Sequence, residues 1–442
     1  MSQSTKSLLP DMPDSDDLLL DLVFSDMEIW ENAINDGDEK KIKPFILENF
    51  SNPYYREKIK EQIKNHEYHV QPPHEAHIPK DDGTMRTVYA NEGQDRILLT
   101  VINNIFFKYC KHMIHKTCTS YQIGIGCGKI DKWVIEDIKS IKTTNGKLGY
   151  KIDLSKYFDS VPLPYIDAVF DELETFFGPS SVLDLVREYY HSDVLLDIER
   201  NEIHKYTSLR QGCAIAAFLA DAVLYDIDET ISTYNVVYYR YSDDILILGE
   251  DADKAYEKIS EMLNEKSLTL NPKKVEILDQ NHWFTFLGFS IKGNDITLSK
   301  KRLKNLQKAI EERTIDCRAK TNNSKTAMHK VYTYLYDNSI TKYGYAEGIL
   351  PVINVSEDLQ AIDNFIMDCL RACDTKKDKI GGLGYNKKGA KGVIVRGKGR
   401  NVKTNRTKIP IIPGYVPISY MQTLFNSNQD VYKTYVKDMI MS

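Results

Sequence analysis

The stretch VVYYRYSDDILILG, residues 236–249, decides the fold. Aromatic and β-branched residues, which favour β-strands, stand on both sides of a short polar break, a pattern typical of a β-hairpin. The break contains two adjacent carboxylates, Asp243 and Asp244. Two ionised aspartates about 4 Å apart repel each other by roughly 4 kcal/mol at an effective dielectric constant of about 20. A hairpin of this kind therefore needs a positive charge near its tip.

A second acidic residue stands at the end of another predicted strand, KLGYKIDL (147–154), where Asp153 follows an alternating pattern. Taken alone, an Asp at a strand end is usually part of a turn or a helix cap, and an Asp pair in a hairpin is usually part of a turn. Two strands of one sheet can, however, bring Asp153 beside Asp243. Magnesium takes oxygen ligands of this kind and bridges phosphates. Two ions about 4 Å apart would stabilise both the attacking and the leaving oxygen of a phosphoryl transfer.

The chain has 442 residues, which is enough for two or three domains. Its best candidate for a membrane helix, CAIAAFLADAVLY (213–225), is shorter than the roughly 18 residues required and contains Asp221. The N-terminus lacks the basic start and apolar centre of a signal peptide. The seven cysteines include no C-x-x-C pair, a pattern that favours reduced thiols. We therefore expect a cytoplasmic protein that does not bind a membrane.

The net charge of −5 conceals two segments of opposite sign. Residues 1–50 contain twelve Asp and Glu against four Lys, a net charge of −8. Residues 375–409 contain twelve Lys and Arg against one Asp, a net charge of +11. A basic segment of this density is typical of a surface that binds a polyanion. A solvated charged loop explains the charge as well, and the sequence leaves that alternative open.

Hydrophobic periodicity predicts a mixture of helices and strands. Strands are expected at 147–154 and 282–291, in addition to the hairpin. Helices are expected over 16–50, 94–117 and 252–265, from 299 onward, and from a capped start at Ser356. Strands in the middle of the chain with helices on both sides indicate an α+β core with helical attachments.

Several motifs follow one another in a fixed order. The order is KIDLSKYFDSV (151–161), LRQGCAIAAFLADAVL (209–224), YSDDILIL (241–248), LNPKKVEI (270–277) and FLGFSI (286–291), preceded by KDDGTMRTVYANEGQDRILLTVINNIF (80–106) and SYQIGIGCGKIDKWV (120–134). This series resembles the motifs of reverse transcriptases, and the two upstream segments are similar to the fingers motifs of the bacterial branch, shared with retron and group II intron enzymes. The resemblance covers about residues 78–310, and the YSDD pair is similar to the Y-x-D-D metal site of that family.

The resemblance implies a right-hand polymerase fold of the α+β class, with fingers, an α+β palm and a mainly helical C-terminal thumb region. The expected domains are an acidic helical N-terminal extension at 1–60, fingers at 61–146, a palm at 147–293 with a fingers insertion at about 160–205, and a helical thumb with a basic C-terminal region at 294–442.

The resemblance also implies the catalytic residues. Asp153 and Asp243 match the two metal-binding aspartates of the family, Asp244 matches the supporting third, and the backbone carbonyl of Leu154 would be a further metal ligand. The implied cofactor is a pair of Mg²⁺ ions, for which Mn²⁺ could substitute. The implied reaction is attack of a primer 3′-hydroxyl, or of a protein hydroxyl, on the α-phosphate of a dNTP with release of pyrophosphate.

Further residues match family positions near the incoming nucleotide, namely Lys80, Arg86, Phe158, Gln211, Gly212 and Lys274. Arg86 matches an arginine that grips the triphosphate, which a planar guanidinium can hold bidentately, with Lys80 beside it. Phe158 stands at the steric gate, where an aromatic ring would clash with a ribose 2′-hydroxyl and favour deoxynucleotides. Lys274 matches a lysine near the departing pyrophosphate that could act as a general acid. An ordinary surface lysine explains Lys274 about equally well.

The chain departs from the family pattern at several positions. After Gln211-Gly212 the bacterial family commonly has a Ser-Pro step and then Asn, whereas this chain has Ala216, Ala217 and Asp221. The thumb region contains no Val-Thr-Gly, unlike a typical retron enzyme, and no H-N-H pattern or clear maturase extension indicates a complete intron protein. By elimination the chain most resembles the stand-alone bacterial reverse transcriptases of abortive infection and antiphage defence.

Three alternatives stay open at this point. The first is a retron-like or group II intron-derived reverse transcriptase. The second is an RNA-templated RNA polymerase, which Phe158 disfavours. The third is an RNA-binding protein with an idle palm, against which the intact Asp153, Asp243, Asp244 and Gln211 argue.

Within the polymerase that the resemblance implies, the basic segment is a candidate nucleic-acid surface. It alternates Lys and Arg with Gly and shows no helical or strand period, so it could follow a phosphate backbone and become ordered on binding. The candidate contacts are Lys387, Lys388, Lys391, Arg396, Lys398, Arg400, Lys403 and Arg406. The expected partners are an RNA template, with a dedicated non-coding RNA as one candidate, the DNA product strand and dNTPs. The sequence indicates no oligomeric state.

Overall fold

A computed structural model of the protein describes residues 15–39, 42–79, 83–121, 147–206, 208–318, 323–336, 345, 349–375 and 412–441. The chain divides into two compact units by its internal contacts. The first unit comprises Met1–Ile123 and Gly149–Ile277, and the second comprises Gly124–Leu148 and Leu278–Ser442.

The chain as far as Asp279 contains both helices and strands. The helices are α1 (Leu18–Ser25), α2 (Met27–Glu39), α3 (Pro44–Ser51), α4 (Pro53–Lys64), α5 (Gly93–Tyr109), α6 (Tyr157–Ser160), α7 (Leu163–Phe177), α8 (Ser181–His191), α9 (Ala216–Ala222), α10 (Tyr225–Ile231) and α11 (Ala252–Glu265). The strands are β1 (His74–Pro79), β2 (Met85–Ala90), β3 (Lys147–Asp153), β4 (Val194–Leu196), β5 (Glu202–His204), β6 (Val237–Tyr241), β7 (Asp244–Leu248) and β8 (Glu276–Asp279).

A four-stranded sheet in the order β6-β7-β3-β8 positions the candidate site. Strands β6 and β7 form the hairpin predicted at 236–249, with Tyr241 opposite Asp244. Strand β3 is antiparallel to β7, with Asp153 opposite the same Asp244. Residues 245–248 of β7 are buried between these two neighbours. The run of β-branched and leucine residues therefore forms a central strand, as its composition predicts.

The hydrophobic core of the first unit joins its helices to this sheet. It includes Ile152 of β3 and Ile245 of β7 together with the buried face of α11. That face consists of Ala255, Ile259 and Leu263, at the spacing expected for one side of a helix. The helix predicted at 252–265 is confirmed at those boundaries.

The helix predicted over 94–117 is shorter than expected. Helix α5 ends at Tyr109, and a 3₁₀ turn follows at Lys111–Met113. The chain then leaves the helical path and reaches the sheet, where Cys118 forms a β-bridge with Arg240. This long-range pairing, which no local apolar pattern can show, explains why the helix stops early.

A second four-stranded sheet, in the order β2-β1-β4-β5, belongs to the same unit. Strands β1 and β2 form an antiparallel hairpin with Ile78 opposite Arg86. The helical character predicted for 16–50 is confirmed by α1, α2 and α3. These helices bury apolar side chains that include Leu19, Trp30 and Phe50.

The second unit combines a small sheet with helices. Its strands β9 (Phe284–Phe286), β10 (Phe289–Lys292) and β11 (Asp295–Leu298) form an antiparallel sheet in the order β11-β10-β9. Its helices are α12 (Lys300–Asp316), α13 (Ser324–Tyr336), α14 (Ser356–Thr375), α15 (Ile418–Ser427) and α16 (Gln429–Met441). The helix predicted from 299 is confirmed. The single strand predicted at 282–291 is instead two antiparallel strands, β9 and β10, because the chain turns at Leu287 and Gly288, which both have positive φ. The hydroxyl of Ser299 caps α12 by accepting the Arg302 N–H at 3.2 Å.

The predicted mixed α+β composition is therefore confirmed. No helix among the residues that the structure describes has the length and apolar character needed to span a bilayer.

Candidate active site

Three carboxylates meet at one end of the β6-β7-β3 sheet. Asp153 is the last residue of β3, and Asp244, directly opposite it, is the first residue of β7. Asp243 lies in the turn between β6 and β7, and its carbonyl accepts a hydrogen bond from the Leu154 N–H at 3.1 Å. The pairing of β3 with β7 thus brings together the three aspartates that the sequence singled out.

The carboxylates in this cluster repel one another. Burial, together with the nearby charges of Asp153 and Asp244, raises the pKa of Asp243 to about 6. Burial also raises the pKa of Asp244, an effect that the positive charge of Lys151 opposes. Full ionisation of the cluster therefore requires a cation close by.

Two lysines approach these carboxylates. Lys274 Nζ lies 2.6 Å from Oδ2 of Asp153, whose side chain is buried. The backbone near Lys274 is held at the strand end, because the Asn271 N–H donates to the Asp153 carbonyl at 2.8 Å. Lys151 stands two residues before Asp153 on β3 and therefore on the same face of the strand. Lys274 is part of the cluster, rather than an isolated surface lysine.

The cluster lines an open cleft of about 680 Å³. Arg86, on strand β2, lines the same cleft as Asp153, Asp243, Asp244 and Lys274. The other lining residues include Tyr121, Lys151, Tyr241, Lys273 and Glu276. A cleft that combines a guanidinium and ammonium groups with carboxylates can bind phosphate oxygens on its basic side and a divalent cation on its acidic side.

The Gln211-Gly212 step contacts β2 through its backbone. The Gln211 carbonyl accepts the Tyr89 N–H at 2.7 Å. Gly212 has φ of +100°, and a Cβ at this position would lie 3.1 Å from the Cβ of Val88. Glycine suits this position because it tolerates the positive φ and the close approach to the strand that carries Arg86.

Phe158 and Leu154 pack in or against the hydrophobic core of the first unit. Phe158 is half-buried against the hydrophobic core, and its carbonyl accepts the Leu209 N–H at 3.0 Å. Leu154 is buried and forms a β-bridge with Leu270. Neither residue belongs to the described lining of the cleft.

Several predicted residues lie outside the part of the chain that the structure describes. They are Lys80 and the eight candidate residues of the basic segment between Lys387 and Arg406. Their assigned contacts stay predictions.

The carboxylates have the chemistry of a site for a hard divalent cation. Within the described ranges, no three His, Cys, Asp or Glu side chains are arranged as they stand to hold a metal ion. Asp153 and Asp243 nevertheless offer only carboxylate oxygens, the donors that Mg²⁺ prefers. Burial, and to a lesser degree the charge of Asp153, raise the pKa of Asp243, so a cation bound beside this carboxylate would favour its ionised form. These residues therefore fit the implied cofactor.

Sequence reasoning missed some of the residues that line the cleft. Lys151 could have been found, because alternate residues of a strand share a face and Lys151 precedes Asp153 by two. Tyr121 and Tyr241 could not, since their ring centroids lie 5.8 Å apart only because distant segments of the chain meet.

A comparison with protein families matches residues 78–291 to "Reverse transcriptase (RNA-dependent DNA polymerase)". The matched residues include every described residue that the sequence assigned to the metal site or the nucleotide site, namely Arg86, Asp153, Leu154, Phe158, Gln211, Gly212, Asp243, Asp244 and Lys274.

Among curated proteins, the retron Ec48 reverse transcriptase of Escherichia coli is 24% identical over 262 residues, which are 57% of this chain and 60% of that protein. The chain thus spans less than two thirds of that relative's length. Two solved structures are also similar. Apo telomerase from Candida tropicalis, truncated from the C-terminal domain, has a TM-score of 0.41 and 11% identity over 54% of this chain and 59% of that one. Telomerase from Candida albicans with the TWJ fragment of telomeric RNA has a TM-score of 0.39 and 12% identity over 74% of this chain and 66% of that one.

The family match confirms the resemblance to reverse transcriptases over residues 78–291. The match to a retron enzyme supports a retron-like relationship, although residues 294–442 contain no Val-Thr-Gly. Residues 78–291 of this chain form a domain of the reverse transcriptase (RNA-dependent DNA polymerase) family.

Proposed function

We propose that this protein is an RNA-directed DNA polymerase that extends a primer with dNTPs by two-metal-ion phosphoryl transfer. The observation that carries the proposal is the single cleft in which Arg86 lies with Asp153, Asp243 and Asp244, inside a reverse transcriptase domain. Two divalent ions, when bound, would stabilise the attacking and the leaving oxygen. Mg²⁺ is the proposed ion, and Mn²⁺ its substitute.

Each residue assigned to the site would have a separate role in such a reaction. Asp153 and Asp243 would hold the metal ions, with Asp244 in support. Arg86 would bind the triphosphate through paired hydrogen bonds, which a planar guanidinium forms better than an ammonium group. Lys274, which reaches Asp153 at 2.6 Å, would deliver positive charge and a proton where pyrophosphate leaves. Phe158, five residues after Asp153, would exclude the ribose 2′-hydroxyl.

The substrate and the partner follow from the family and from charge. We infer an RNA template with a DNA product, and a dedicated non-coding RNA as partner. The similarity to a retron reverse transcriptase and the basic segment at 375–409 support this inference. A cytoplasmic role in bacterial antiphage defence is the biological setting we propose. It rests on the motif resemblance.

Incorporation of labelled dNTPs by the purified protein tests the function. The assay uses Mg²⁺ with oligo(dT) on poly(rA), and a parallel reaction without added template. We expect dTTP incorporation on the primed template and little incorporation of UTP. Incorporation without added template would indicate a co-purifying RNA or self-priming. The Asp243→Asn variant should incorporate dTTP at least about a hundredfold more slowly than wild type. Changes in residues that merely support metal ligands already lower metal affinity or activity 10- to 100-fold.

The matched control is Asp171→Asn, which makes the same change at an exposed aspartate that pairs with Arg187 on the surface of the first unit. It should retain wild-type incorporation. Equal incorporation by wild type and Asp243→Asn would contradict the proposed site. RNA binding without incorporation, in a protein purified with its associated RNA, would instead favour an idle polymerase that serves as an RNA-binding protein.

A further inference from the structure

The turn that carries Asp243 has an unusual backbone. Its first residue, Ser242, has φ of +57°, a left-handed conformation that residues other than glycine seldom adopt. Ser242 is also buried. A conformation of this kind persists only where its surroundings hold it in place, and the position of the Asp243 carboxylate depends on it directly.

One side of the turn is held by the segment that follows α5. The Ser120 hydroxyl accepts the Ser242 N–H at 2.6 Å, and Ser120 itself is fully buried. Backbone pairing fixes this segment against β6, because the Arg240 N–H donates to the Thr117 carbonyl at 3.0 Å and the Thr119 N–H donates to the Arg240 carbonyl at 2.9 Å. Because α5 ends early, residues 117–120 can reach the turn.

The other side of the turn is held by the Arg240 side chain, which is completely buried. Its Nε lies 2.8 and 3.0 Å from the two carboxylate oxygens of Asp228, and its Nη2 donates to Asp228 at 2.5 Å. Nη2 also donates to the Asp221 carbonyl at 2.8 Å, and Nη1 reaches the Ser242 carbonyl at 3.4 Å. The paired contact with Asp228 fixes the plane of the guanidinium, so that Nη1 faces the turn.

We propose that Ser120 and Arg240 are positioning residues that hold the N–H and the carbonyl of Ser242 and thereby set the Asp243 carboxylate for metal binding. The proposal rests on the proposed function, in which Asp243 is a metal ligand. Neither residue needs to touch a substrate. Their effect is on the backbone that immediately precedes the ligand, and a carboxylate displaced by about 1 Å binds a metal ion poorly.

The decisive comparison is between Ser120→Ala and Ser180→Ala. Each removes a buried hydroxyl that accepts one backbone N–H in the first unit, but Ser180 caps α8 through the Val182 N–H at 3.1 Å. Ser120→Ala should weaken Mn²⁺ binding about tenfold, measured by electron paramagnetic resonance of free Mn²⁺ without substrate. It should lower kcat for dTTP by a similar factor and leave KM within about twofold. Ser180→Ala should lower the midpoint temperature of thermal unfolding but change neither Mn²⁺ affinity nor kcat.

Arg240→Lys and Arg240→Ala provide a second comparison. Lysine keeps the charge beside Asp228 but lacks the second nitrogen that faces Ser242. We expect Arg240→Lys to remain folded with weakened Mn²⁺ binding. Arg240→Ala removes the positive charge beside the buried carboxylates of Asp221 and Asp228 and should unfold at much lower temperature. Because Ser120→Ala removes only a hydroxyl, its result stands even if neither Arg240 variant folds.

The outcomes separate the two proposals. If Ser120→Ala had the same Mn²⁺ affinity and the same kcat as Ser180→Ala, the positioning role would be overturned. A wild type that binds Mn²⁺ but incorporates no nucleotide on any template would contradict the proposed function alone, and the Mn²⁺ comparison would still decide the positioning role. A wild type whose Mn²⁺ binding is unaffected by Asp243→Asn would overturn both.

Discussion

Arg86 is the one guanidinium among the described lining residues of the cleft. A charge-assisted hydrogen bond contributes about 1.5–3 kcal/mol, and 1.4 kcal/mol corresponds to a factor of ten. Arg86→Ala should therefore raise KM for dTTP about 10- to 100-fold, with a smaller effect on kcat, in steady-state incorporation on a primed template. Arg86→Lys should recover only part of this loss, because an ammonium group lacks the paired donors.

Arg200→Ala is the control for Arg86. Arg200 is also an arginine of the first unit, but it forms a surface ion pair with Glu92 instead of lining the cleft. The Arg200→Ala variant should have a KM for dTTP within about twofold of the wild-type value. An Arg86→Ala variant with unchanged KM would remove Arg86 from the nucleotide site.

Asp221 gives the first unit a predictable pH dependence. Burial raises the pKa of this carboxyl to about 7, although the positive charge of Arg240 opposes the shift. Because the folded pKa lies above the unfolded value, the stability that the protonated form contributes is present at low pH and is lost as the pH rises through about 7. Asp221→Asn, which stays neutral, should therefore become more stable relative to wild type as the pH rises.

Urea denaturation at pH 5 and pH 8 tests this expectation. One pKa unit corresponds to about 1.4 kcal/mol, so the stability difference between Asp221→Asn and wild type should grow by about 2–3 kcal/mol between these two pH values. Asp171→Asn, at an exposed position, should show no such change. An equal difference at both pH values would mean that the Asp221 carboxyl ionises in the folded protein as easily as in the unfolded chain.

At this scale the sequence predicts residues that belong to motifs and misses residues that act through tertiary contacts. Asp153, Asp243 and Asp244 could be identified because they end strands and stand in a recognisable order. Ser120 carries no such signal, because its contact with Ser242 forms only when α5 ends at Tyr109 and the following segment pairs with β6. The same long-range pairing is the reason that the helix boundary was predicted incorrectly.

At the scale of elements, the register between β3 and β7 determines whether the carboxylates meet. Gly149 lies opposite Leu248 in this pairing and has φ of +149°. A Cβ at Gly149 would lie 2.0 Å from the Ile247 carbonyl oxygen and 2.9 Å from the Leu248 Cα. Both are backbone atoms of the central strand β7 and cannot move without breaking the backbone hydrogen bonds that join β7 to its neighbours.

Gly149→Ala should therefore destabilise the first unit by at least about 3 kcal/mol and abolish dTTP incorporation, because strain at a special backbone conformation is added to a clash. Thermal unfolding followed by circular dichroism measures the first effect. Gly83→Ala is the matched control, since Gly83 also has a positive φ of +82° but a Cβ there would meet no atom of the described residues within 4 Å. It should cost only about 1 kcal/mol. Equal losses for the two variants would show that backbone strain alone, and not the clash with β7, limits this position.

The helices and strands whose sequence shows one clear hydrophobic pattern were predicted well. Helix α11 has apolar residues at helical spacing and was predicted with its boundaries, and the hairpin of β6 and β7 follows from sheet-forming residues around a polar break. The second sheet was not predicted. Its strands β4 and β5 are three residues each, which is too short to produce a readable alternation.

At the scale of the whole molecule, charge is the property that the sequence shows most directly. The +11 charge of residues 375–409 is outweighed by the −8 charge of residues 1–50 and the acidic excess of the rest of the chain, so the net charge of −5 and the overall pI of about 6.1 give no sign of a nucleic-acid partner. Only the local distribution predicts a polyanion. We expect the basic segment to contribute affinity for RNA that depends on salt and not on base sequence.

Neutralising the basic segment tests this expectation. Replacing its eight candidate contacts by Gln should weaken RNA binding and flatten its salt dependence, because each lost contact with a single-stranded phosphate removes about 0.7 from the slope of log K against log salt. Fluorescence anisotropy with a labelled RNA between about 50 and 300 mM salt should show the slope fall by about 2 to 6. The control replaces Lys254 and Lys258, which lie on α11 and pair with Asp251 and Glu261, and should leave the slope unchanged. If the eight-residue variant kept the wild-type slope, the segment would be a solvated loop, and the RNA would have to bind through other basic residues of the chain.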